Sequence, residues 1–372
     1  MRKVWLLAAL VAAVAAVAIA GAGVGSASSG SQKLTNVTLQ LKWVTQAQFA
    51  GYYAAKEKGY YKNAGLNVNI KVGGPDITPE TVVVSGQADF GLDWLPNLFA
   101  TREKGGKLVS IAQVFARSGM TELTWKKSGI NSIAKMKGKK VGVWCCGNEP
   151  ELFAALQKNG IDHSDSSQVT IVNQPFDMNL FLQNKVDAAA AMTYNELAQV
   201  LETKNPDTGQ LYKLSDLNVF KMSSPAVGTG MLEDNIFVTE KWLSKAANKA
   251  TAVKFLKASF QGWIYCRSHM KECVDIVLKN GPTLGAGHQT WQMNEINRLI
   301  WPNPYGIGHV PNSQVQNTAT IAKTYGVIKN TPKNAVTYQY ADRALNQLKR
   351  AGIDVYGKNY KPAVVKVTEG GK

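Results

Sequence analysis

Two stretches of this chain follow the same plan, and few folds accommodate it. The segments QADFGLDWLPN (87–97) and KVDAAAAMTYNE (185–196) each contain a short strand of small or apolar residues, which stops at polar side chains just before a helix. Such strand ends are typical of α/β proteins, in which helices connect the strands of a mostly parallel sheet. The chain therefore predicts two sheets of this kind.

Alternating strands and helices surround both segments. The first half predicts strands at 36–43, 66–74 and 88–94 and helices at 48–65 and 76–87, the latter capped by Thr78 with Pro79 at its first position. The second half starts after a predicted loop over 123–140, with strands at 141–144, 169–174 and 186–192 and helices at 149–160 and 176–185. The second half thus repeats the order of the first.

Toward the C-terminus the spacing becomes helical, with predicted helices within 239–266 and 288–301. A helical tail after two α/β halves most simply returns to cover the first half. We therefore expect lobe 1 to comprise 36–122 and 225–372, and lobe 2 to comprise 123–224. Because open parallel sheets bind ligands beyond the carboxyl ends of their strands, two such lobes predict a cleft with a hinge.

The N-terminal residues are typical of a secretory signal. Arg2 and Lys3 precede a long run of Ala, Val and Leu that ends in small residues, which predicts a signal peptide over 1–27. An uncleaved membrane anchor is the alternative, since the run approaches the ~20 residues that a span needs. The first cysteine is Cys145, so no N-terminal cysteine is available for a lipid. We expect a protein secreted to the periplasm or the extracellular space.

Charge and motif content argue against several functions. The formal charge is +16, but Lys and Arg are scattered along the chain, which indicates a solvated surface rather than a nucleic-acid groove. The histidines and cysteines have no zinc-binding spacing, and no Ser/His/Asp order, paired-carboxylate motif or GxSxG occurs. The sequence therefore predicts no catalytic residue, no metal, no cofactor and no nucleic-acid partner.

Three tryptophans end predicted strands. Trp43, Trp94 and Trp144 lie where a strand stops, whereas a core residue would be expected one or two positions earlier. Two of them in the cleft would sandwich a flat ring, and each face would add roughly 0.5–1.5 kcal/mol beyond burial. The alternative is that they are ordinary core tryptophans.

The polar run after the strand at 186–192 offers hydrogen bonds. Glu196 can accept from an amino group or, if protonated, donate to a ring nitrogen. Tyr194 and Asn195 add a hydroxyl and an amide, but neighbouring strand residues point to opposite faces, so all three share a pocket only if the strand has already ended. Alternatively, Glu196 belongs to the first turn of the next helix and merely complements its dipole.

Three further polar residues complete the predicted ligand-binding set. Asn97 follows the strand end at 88–94, and Gln48 begins the first predicted helix. Asn148 lies in a turn after Gly147 and is the predicted cap of a helix, with Glu151 three residues on as in a capping box. Free N–H groups at such a helix start bind anions or carbonyl oxygens.

Cys266 and Cys273 are expected to pair in an oxidising compartment. In one unbroken helix a separation of seven residues is a rise of about 10.5 Å, whereas the Cα atoms of a disulfide lie roughly 4.4–6.8 Å apart. Cys145 and Cys146 sit at a strand end in the other lobe and are poor partners. We therefore predict that the helix ends near Tyr265, restarts near residue 271, and is bridged across the break.

Several blocks of the chain resemble the thiamine-pyrimidine-synthase-like family. These are LKWVTQAQFAGYYAAKEKGYYKNAGLNV, SGQADFGLDW, SGINSIAKMKGKKVGV and TYNE, and the resemblance covers most of 36–300. It implies a type II periplasmic-binding-protein fold, with two lobes that close on a ligand and a helical C-terminal extension. In the binding-protein branch, it implies ring-stacking and hydrogen-bonding roles for Trp43, Trp94, Tyr194 and Glu196.

The resemblance also bears on activity. The synthase branch needs a lysine for pyridoxal phosphate, a histidine that is consumed, and a cysteine-rich run. Here Asp93 and Asn97 occupy the lysine and histidine positions, and 228–237 contains no Cys. The resemblance therefore implies a monomeric receptor of an ABC importer, which presents a thiamine pyrimidine precursor or riboflavin to a membrane permease. A pyrimidine-synthase enzyme and a sulfonate or nitrate receptor are the alternatives.

Overall fold

The computed structural model describes residues 33–145 and 147–372. The predicted signal peptide (1–27) and Cys146 lie outside the described residues. Among the described residues, no helix has both the length and the apolar character that a membrane span requires. Residues Leu34–Lys372 form one unit.

Two five-stranded sheets organise the described part of the chain. The strands are β1 (Thr35–Gln40), β2 (Leu66–Lys71), β3 (Phe90–Asp93), β4 (Leu108–Gln113), β5 (Met120–Trp125), β6 (Lys140–Val143), β7 (Thr170–Asn173), β8 (Ala188–Met192), β9 (Leu217–Lys221) and β10 (Asn235–Thr239). The first sheet has the order β2-β1-β3-β10-β4 and the second the order β7-β6-β8-β5-β9. In these sheets β10 and β5 run antiparallel to both of their neighbours, while β1 and β6 are parallel to theirs. The prediction of two mostly parallel sheets is confirmed, and their strand orders match position for position.

The strand β5 corrects the predicted loop, which was expected to begin at residue 123. All six residues of β5 are buried between β8 and β9. The sequence pattern does not reveal this strand, because a strand is recognised by alternating apolar residues. The polar residues Thr121, Glu122 and Thr124 interrupt that alternation. The chain leaves the first sheet through 114–119 and returns through 222–234. The lobe boundaries stay a prediction, and the first of them, between residues 122 and 123, falls within β5.

Helices cover both sheets. They are α1 (Ala50–Glu57), α2 (Tyr60–Asn63), α3 (Pro79–Val84), α4 (Leu95–Glu103), α5 (Pro150–Lys158), α6 (Asn179–Leu182), α7 (Glu196–Leu201), α8 (Glu240–Leu243), α9 (Ala246–Ser268), α10 (Met270–Asn280), α11 (Ala286–Ile300), α12 (Asn312–Thr324) and α13 (Gln339–Arg350). The long helix α9 packs against α1 and α13, and α13 packs against β4. The helical tail therefore packs against elements of the first sheet.

Glycines allow α1 and α9 to approach each other closely. A Cβ atom added at Gly262 would lie 1.9 Å from the carbonyl oxygen of Gly51, and one added at Gly51 would lie 2.2 Å from the Trp263 ring. Neither position can carry a larger side chain unless the helices move apart. This contact fixes α9 against the helix that follows β1.

The helix break at the second cysteine pair is present. α9 ends at Ser268, and α10 begins at Met270 after His269, whose backbone is not helical. Cys266 and Cys273 form a disulfide with their Cα atoms 5.4 Å apart. The predicted bridge across this corner is confirmed.

Two predicted helix caps differ from the structure. Thr78 is the N-cap residue of α3, but its side chain makes no capping hydrogen bond. Asn148 is not the cap of α5, because that position belongs to Glu149 and the helix begins one residue later, at a proline. The Asn148 side chain instead donates to the carbonyl oxygen of Cys145 at 2.9 Å. Glu151 lies in the first turn of α5, but its buried carboxyl group contacts Ser118 and the Met231 N–H rather than closing a capping box.

Candidate functional site

Residues that follow the strand ends of both sheets meet at an inner cavity of about 40 Å³. The residues that line it are Lys42, Trp43, Gln46, Gln48, Trp94, Trp144, Asn148, Phe176, Met192, Tyr194, Asn195 and Glu196. All of the predicted binding residues except Asn97 are in this set. The structure thus brings together side chains that are up to 154 positions apart, from Lys42 to Glu196.

Aromatic side chains form much of the wall. The Trp43 and Phe176 rings have centroids 4.3 Å apart and are tilted by 59°, and Trp144 stacks on Phe176 at 6.4 Å with an angle of 11°. The indole N–H groups of Trp94 and Trp144 have no hydrogen-bond partner among the described residues. An unpaired buried donor is costly, and both of these N–H groups are shielded from solvent.

The two predictions for the tryptophans, ring stacking in the cleft and packing in the core, do not exclude each other. Trp94 and Trp144 are each only 3% exposed and belong to the main hydrophobic core, yet both also line the cavity. Trp43 is partly exposed and packs against that core. Their positions just beyond β1, β3 and β6 place the rings at the carboxyl edges of the sheets.

Lys42 and Phe176 were missed by the sequence analysis. The Lys42 ammonium forms an ion pair with Asp93 and lies 4.9 Å from the centroid of the Trp94 ring. Burial lowers the pKa of Lys42, but Asp93, together with the other nearby carboxyl groups, outweighs that effect, so the pKa is raised and the side chain stays charged. Both Lys42 and Phe176 follow a strand end. The same feature identified the tryptophans and could have identified these two residues.

A larger outer cavity of about 810 Å³ adjoins the inner one. Lys42, Trp43, Asn148 and Phe176 border both cavities. Asn97, the remaining predicted residue, lines this outer cavity, and its amide donates to Asp93 at 3.2 Å. Both cavities are lined by polar as well as apolar side chains, but the inner one has the larger share of aromatic rings.

A buried carboxyl group lies in the wall of the outer cavity. Glu80 is 1% exposed, and burial, followed by the charge of Asp93, raises its pKa well above the usual range. Neither side-chain oxygen of Glu80 has a hydrogen-bond partner among the described residues, so burial favours the neutral form of this carboxyl group.

Glu196 is both the first residue of α7 and part of the inner cavity. Its carboxylate accepts from the Met192 N–H at 3.0 Å and from the Asn195 amide at 2.7 Å. Burial raises the pKa of Glu196 to about 7, although these donors and the charge of His288 lower it. Glu196 therefore both starts the helix and lines the cavity. With a pKa of about 7, its carboxyl group gains or loses a proton near neutral pH.

Tyr194, Asn195 and Glu196 enter the same cavity because the strand has ended. β8 stops at Met192, so the alternation of strand side chains no longer applies to the three residues that follow Thr193. On the opposite wall, Gln48 donates to Asp234 at 2.9 Å and accepts from Gln46 at 2.7 Å. The polar side chains of the cavity are thus held by fixed partners on both walls.

Metal binding has no support in the described residues, where no cluster of three or more His, Cys, Asp or Glu side chains could hold an ion.

The two sheets have matching strand orders, and their strand ends meet at a cavity. This arrangement defines a type II periplasmic-binding-protein fold. The chain belongs to the NMT1/THI5-like family, whose model matches residues 46–273. The resemblance inferred from the sequence is therefore confirmed.

Three curated relatives match over more than two thirds of this chain. A Haemophilus influenzae protein named for thiamine biosynthesis is 24% identical over 71% of this chain and 77% of its own length. The formylaminopyrimidine-binding protein of Halalkalibacterium halodurans is 24% identical, over 68% and 73% of the two chains. The riboflavin-binding protein RibY of Chloroflexus aurantiacus is 23% identical, over 81% and 84%.

A synthase and a solved receptor complete the comparison. The 4-amino-5-hydroxymethyl-2-methylpyrimidine phosphate synthase of Legionella pneumophila is 28% identical, but only over 29% of this chain and 34% of its own. The solved periplasmic aliphatic sulphonate-binding protein SsuA of Escherichia coli has a TM-score of 0.58 at 16% identity, and covers 83% of this chain and 97% of that chain. At this identity the likeness shows the fold. The relatives that match over most of the chain include proteins named for binding, while the synthases match over part of it.

Proposed function

We propose that this protein is an extracytoplasmic solute receptor of an ABC importer, which captures a flat nitrogen heterocycle between its lobes. The single observation that carries this proposal is the inner cavity, in which aromatic faces surround the carboxyl group of Glu196. Aromatic walls select a planar ring, and the carboxyl group selects hydrogen-bond donors on its edge. Two binding relatives are named for heterocycles of this kind, formylaminopyrimidine and riboflavin.

The two adjoining cavities refine the ligand class. The ring stacks on Trp43 and Phe176, which border both cavities, with one edge toward the inner cavity, because a volume of about 40 Å³ is too small to enclose a ring. The outer cavity of about 810 Å³ leaves room for an extension that carries hydroxyl or amine groups. Lys42 stands between the two cavities with its charge already paired by Asp93. This arrangement favours a neutral, hydroxylated extension over an anionic one.

No residue of the inner cavity supplies a covalent step. Lys42 is held as a charged ammonium rather than a nucleophile, and Asp93 and Asn97 occupy the positions where the synthases would need their lysine and histidine. We therefore propose binding without chemistry, with delivery of the ligand to a membrane permease. In this proposal the protein is exported by residues 1–27 and acts as a monomer.

A ligand panel tests this function. Thermal shift and calorimetry would compare formylaminopyrimidine, 4-amino-5-hydroxymethyl-2-methylpyrimidine and riboflavin with alkanesulfonates and nitrate. We expect stabilisation by at least one heterocycle and none by the anions. Stabilisation by sulfonate or nitrate alone would contradict the proposal, and turnover of a pyrimidine precursor would favour the synthase alternative.

A further inference from the structure

The helix α11 joins the two lobes behind the inner cavity. On the side of the first lobe, the Gln289 side-chain oxygen accepts from the Ala47 N–H at 2.7 Å. On the side of the second lobe, the Trp291 indole donates to the carbonyl oxygen of Thr193 at 2.9 Å. His288 lies one residue before Gln289, so it belongs to a helix that both lobes hold.

His288 connects the two residues that flank α7, Asn195 before it and Glu202 after it. Its Nδ1 atom lies 3.0 Å from both carboxylate oxygens of Glu202, and its Nε2 atom lies 2.8 Å from the side-chain oxygen of Asn195. The His288 and Glu202 side chains are 16% and 8% exposed. Water therefore has little access to this chain of hydrogen bonds, which continues from Asn195 to Glu196 at 2.7 Å.

The donors and acceptors in this chain fix where the protons are. A carboxylate only accepts, so Nδ1 of His288 must carry a proton toward Glu202. Asn195 gives its amide nitrogen to Glu196, which leaves its carbonyl oxygen facing Nε2, and Nε2 must therefore carry a proton as well. With both nitrogens protonated, His288 is an imidazolium, and Glu202 is its counter-ion.

We propose that His288 is a positioning residue that, through Asn195, fixes Glu196 as a hydrogen-bond acceptor for the ligand. The inference rests on the proposed function and specifies the ligand further, as a heterocycle with an amino or ring N–H group on the edge that meets Glu196. His288 does not line the inner cavity itself, so it reaches the ligand only through Asn195 and Glu196.

The opposite arrangement shows what the His288 proton controls. If Nε2 lost its proton, it would accept from the Asn195 amide, and the amide would have to turn. The Asn195 oxygen would then face Glu196, which could satisfy it only by keeping a proton of its own. One hydrogen-bond chain therefore couples the charge on His288 to the ability of Glu196 to accept a hydrogen bond.

The surroundings contain few other groups that could set the state of Glu196. Besides Asn195, Glu196 meets the Met192 N–H of β8, with Tyr194 and Lys42 along the same cavity. The groups next to His288 are Glu202, which follows α7, and the segment 368–372, in which Glu369 is paired with Lys204. His288 is the charged group of α11 that acts on Glu196.

The test measures Glu196 directly in the ligand-free protein. Carbon-13 NMR of labelled glutamate carboxyl groups, assigned with Glu196→Gln, would follow its titration in the wild type and in His288→Gln. A glutamine at 288 keeps a donor for Asn195 but removes the positive charge. His309→Gln is the matched control, because His309 also pairs with a carboxylate, Asp342 at 2.7 Å, and lines neither cavity.

We expect the Glu196 midpoint to move upward by about one pH unit in His288→Gln, since a nearby positive charge favours the ionised carboxylate, and to stay in place in His309→Gln. An unchanged midpoint in His288→Gln would overturn the proposal, whatever the ligand.

Ligand selection is measured with one pair of probes, 4-amino-5-hydroxymethyl-2-methylpyrimidine and its 4-dimethylamino analogue, and with a second pair, riboflavin and its N3-methyl derivative. We expect the wild type to prefer the N–H member of a pair at least about tenfold, and His288→Gln to lose most of that preference at pH 7 while regaining it at higher pH. A uniform loss of affinity for both members at every pH would reduce His288 to a structural role. A moved midpoint with no binding of any probe would instead count against the proposed function.

Discussion

At the scale of single residues, Glu196 is the position where fold and recognition meet. It starts a helix, accepts hydrogen bonds from Met192 and Asn195, and presents the rest of its carboxylate to the inner cavity. We predict that Glu196→Gln weakens ligand binding by about 1.5–3 kcal/mol, the range for a hydrogen bond to a charged group. Calorimetry measures this loss, and the melting temperature should stay near that of the wild type. Unchanged affinity would leave Glu196 with a role in the helix only.

Phe176 tests the aromatic wall without disturbing the core. Its ring is 36% exposed, so removal of the aromatic face should cost little stability. We predict that Phe176→Leu weakens binding of a planar ligand by about 0.5–1.5 kcal/mol, the contribution of one stacked face. Tyr305→Leu is the matched control, since Tyr305 is an exposed aromatic residue outside both cavities. Equal effects of the two changes on binding would argue against stacking at Phe176.

Some site residues could be predicted from the sequence because they sit where the regular strand pattern stops. Trp94 follows β3 directly and Trp144 follows β6 directly, so a local rule finds them. Phe176 lies beyond a proline turn after β7 and gave a weaker form of the same signal. His288 gave none, because its partners Asn195 and Glu202 come from another part of the chain and meet it only after the lobes have packed.

At the scale of elements, buried carboxyl groups tie α5 to the connections between the sheets. Ser118 Oγ lies 2.7 Å from a Glu151 oxygen and 2.9 Å from a Glu233 oxygen. A hydroxyl has one proton to donate, so one of the two carboxyl groups must carry a proton of its own. Burial raises the pKa of Glu151 to about 8, and it also raises the pKa of Glu233.

This arrangement predicts a stability that depends on pH. In the unfolded chain a glutamate has a pKa of about 4.3, so the native state binds a proton more tightly than the unfolded state does. The stabilisation that this carboxyl group contributes is therefore fully present below about pH 4.3 and is lost as the pH rises through about 8. We predict that Glu151→Gln, which retains a donor for Ser118, unfolds at a higher temperature than the wild type at pH 9 and at nearly the same temperature at pH 5.

Thermal unfolding followed by circular dichroism measures this difference. Glu57→Gln is the matched control, because Glu57 is a carboxylate on the surface, and its removal should leave the pH dependence unchanged. A wild-type pH dependence in Glu151→Gln would show that Glu151 does not carry the proton.

The corner between α9 and α10 is closed by the disulfide of Cys266 and Cys273. Because the loop between them is short, the bridge should stabilise the fold by no more than about 2–3 kcal/mol. We predict that Cys266→Ala with Cys273→Ala loosens this corner and leaves the lobe folded. Hydrogen exchange should increase in 264–276 and remain unchanged in α11. Global unfolding of the double variant would contradict this.

The break between α9 and α10 could be predicted, whereas β5 could not. Two cysteines at a fixed separation impose a distance that one helix cannot meet, so the chain had to bend between them. By contrast, β5 is a strand with buried Glu122 and buried threonines, and its position between β8 and β9 follows from pairing with distant strands. Contacts of that kind leave no local pattern.

At the scale of the whole molecule, ligand capture should change the angle between the lobes. The chain crosses between the sheets at 114–119 and 222–234, and the inner cavity draws its walls from both lobes. A ligand that contacts both walls is bound best when the lobes meet. We predict a smaller radius of gyration in the presence of a tight heterocycle, measured by small-angle scattering. An equal concentration of a non-binding anion is the control, and an identical radius with and without the heterocycle would exclude closure.

The placement of β10 also determines the order in which the two sheets can be completed during protein synthesis. The second sheet draws its strands from 120–221, so all of them exist once residue 221 has been synthesised. The first sheet has β10 as an inner strand, between β3 and β4, and it stays in two pieces until residue 239 has left the ribosome. The lobe that contains the earliest strand of the chain is therefore the last to be completed.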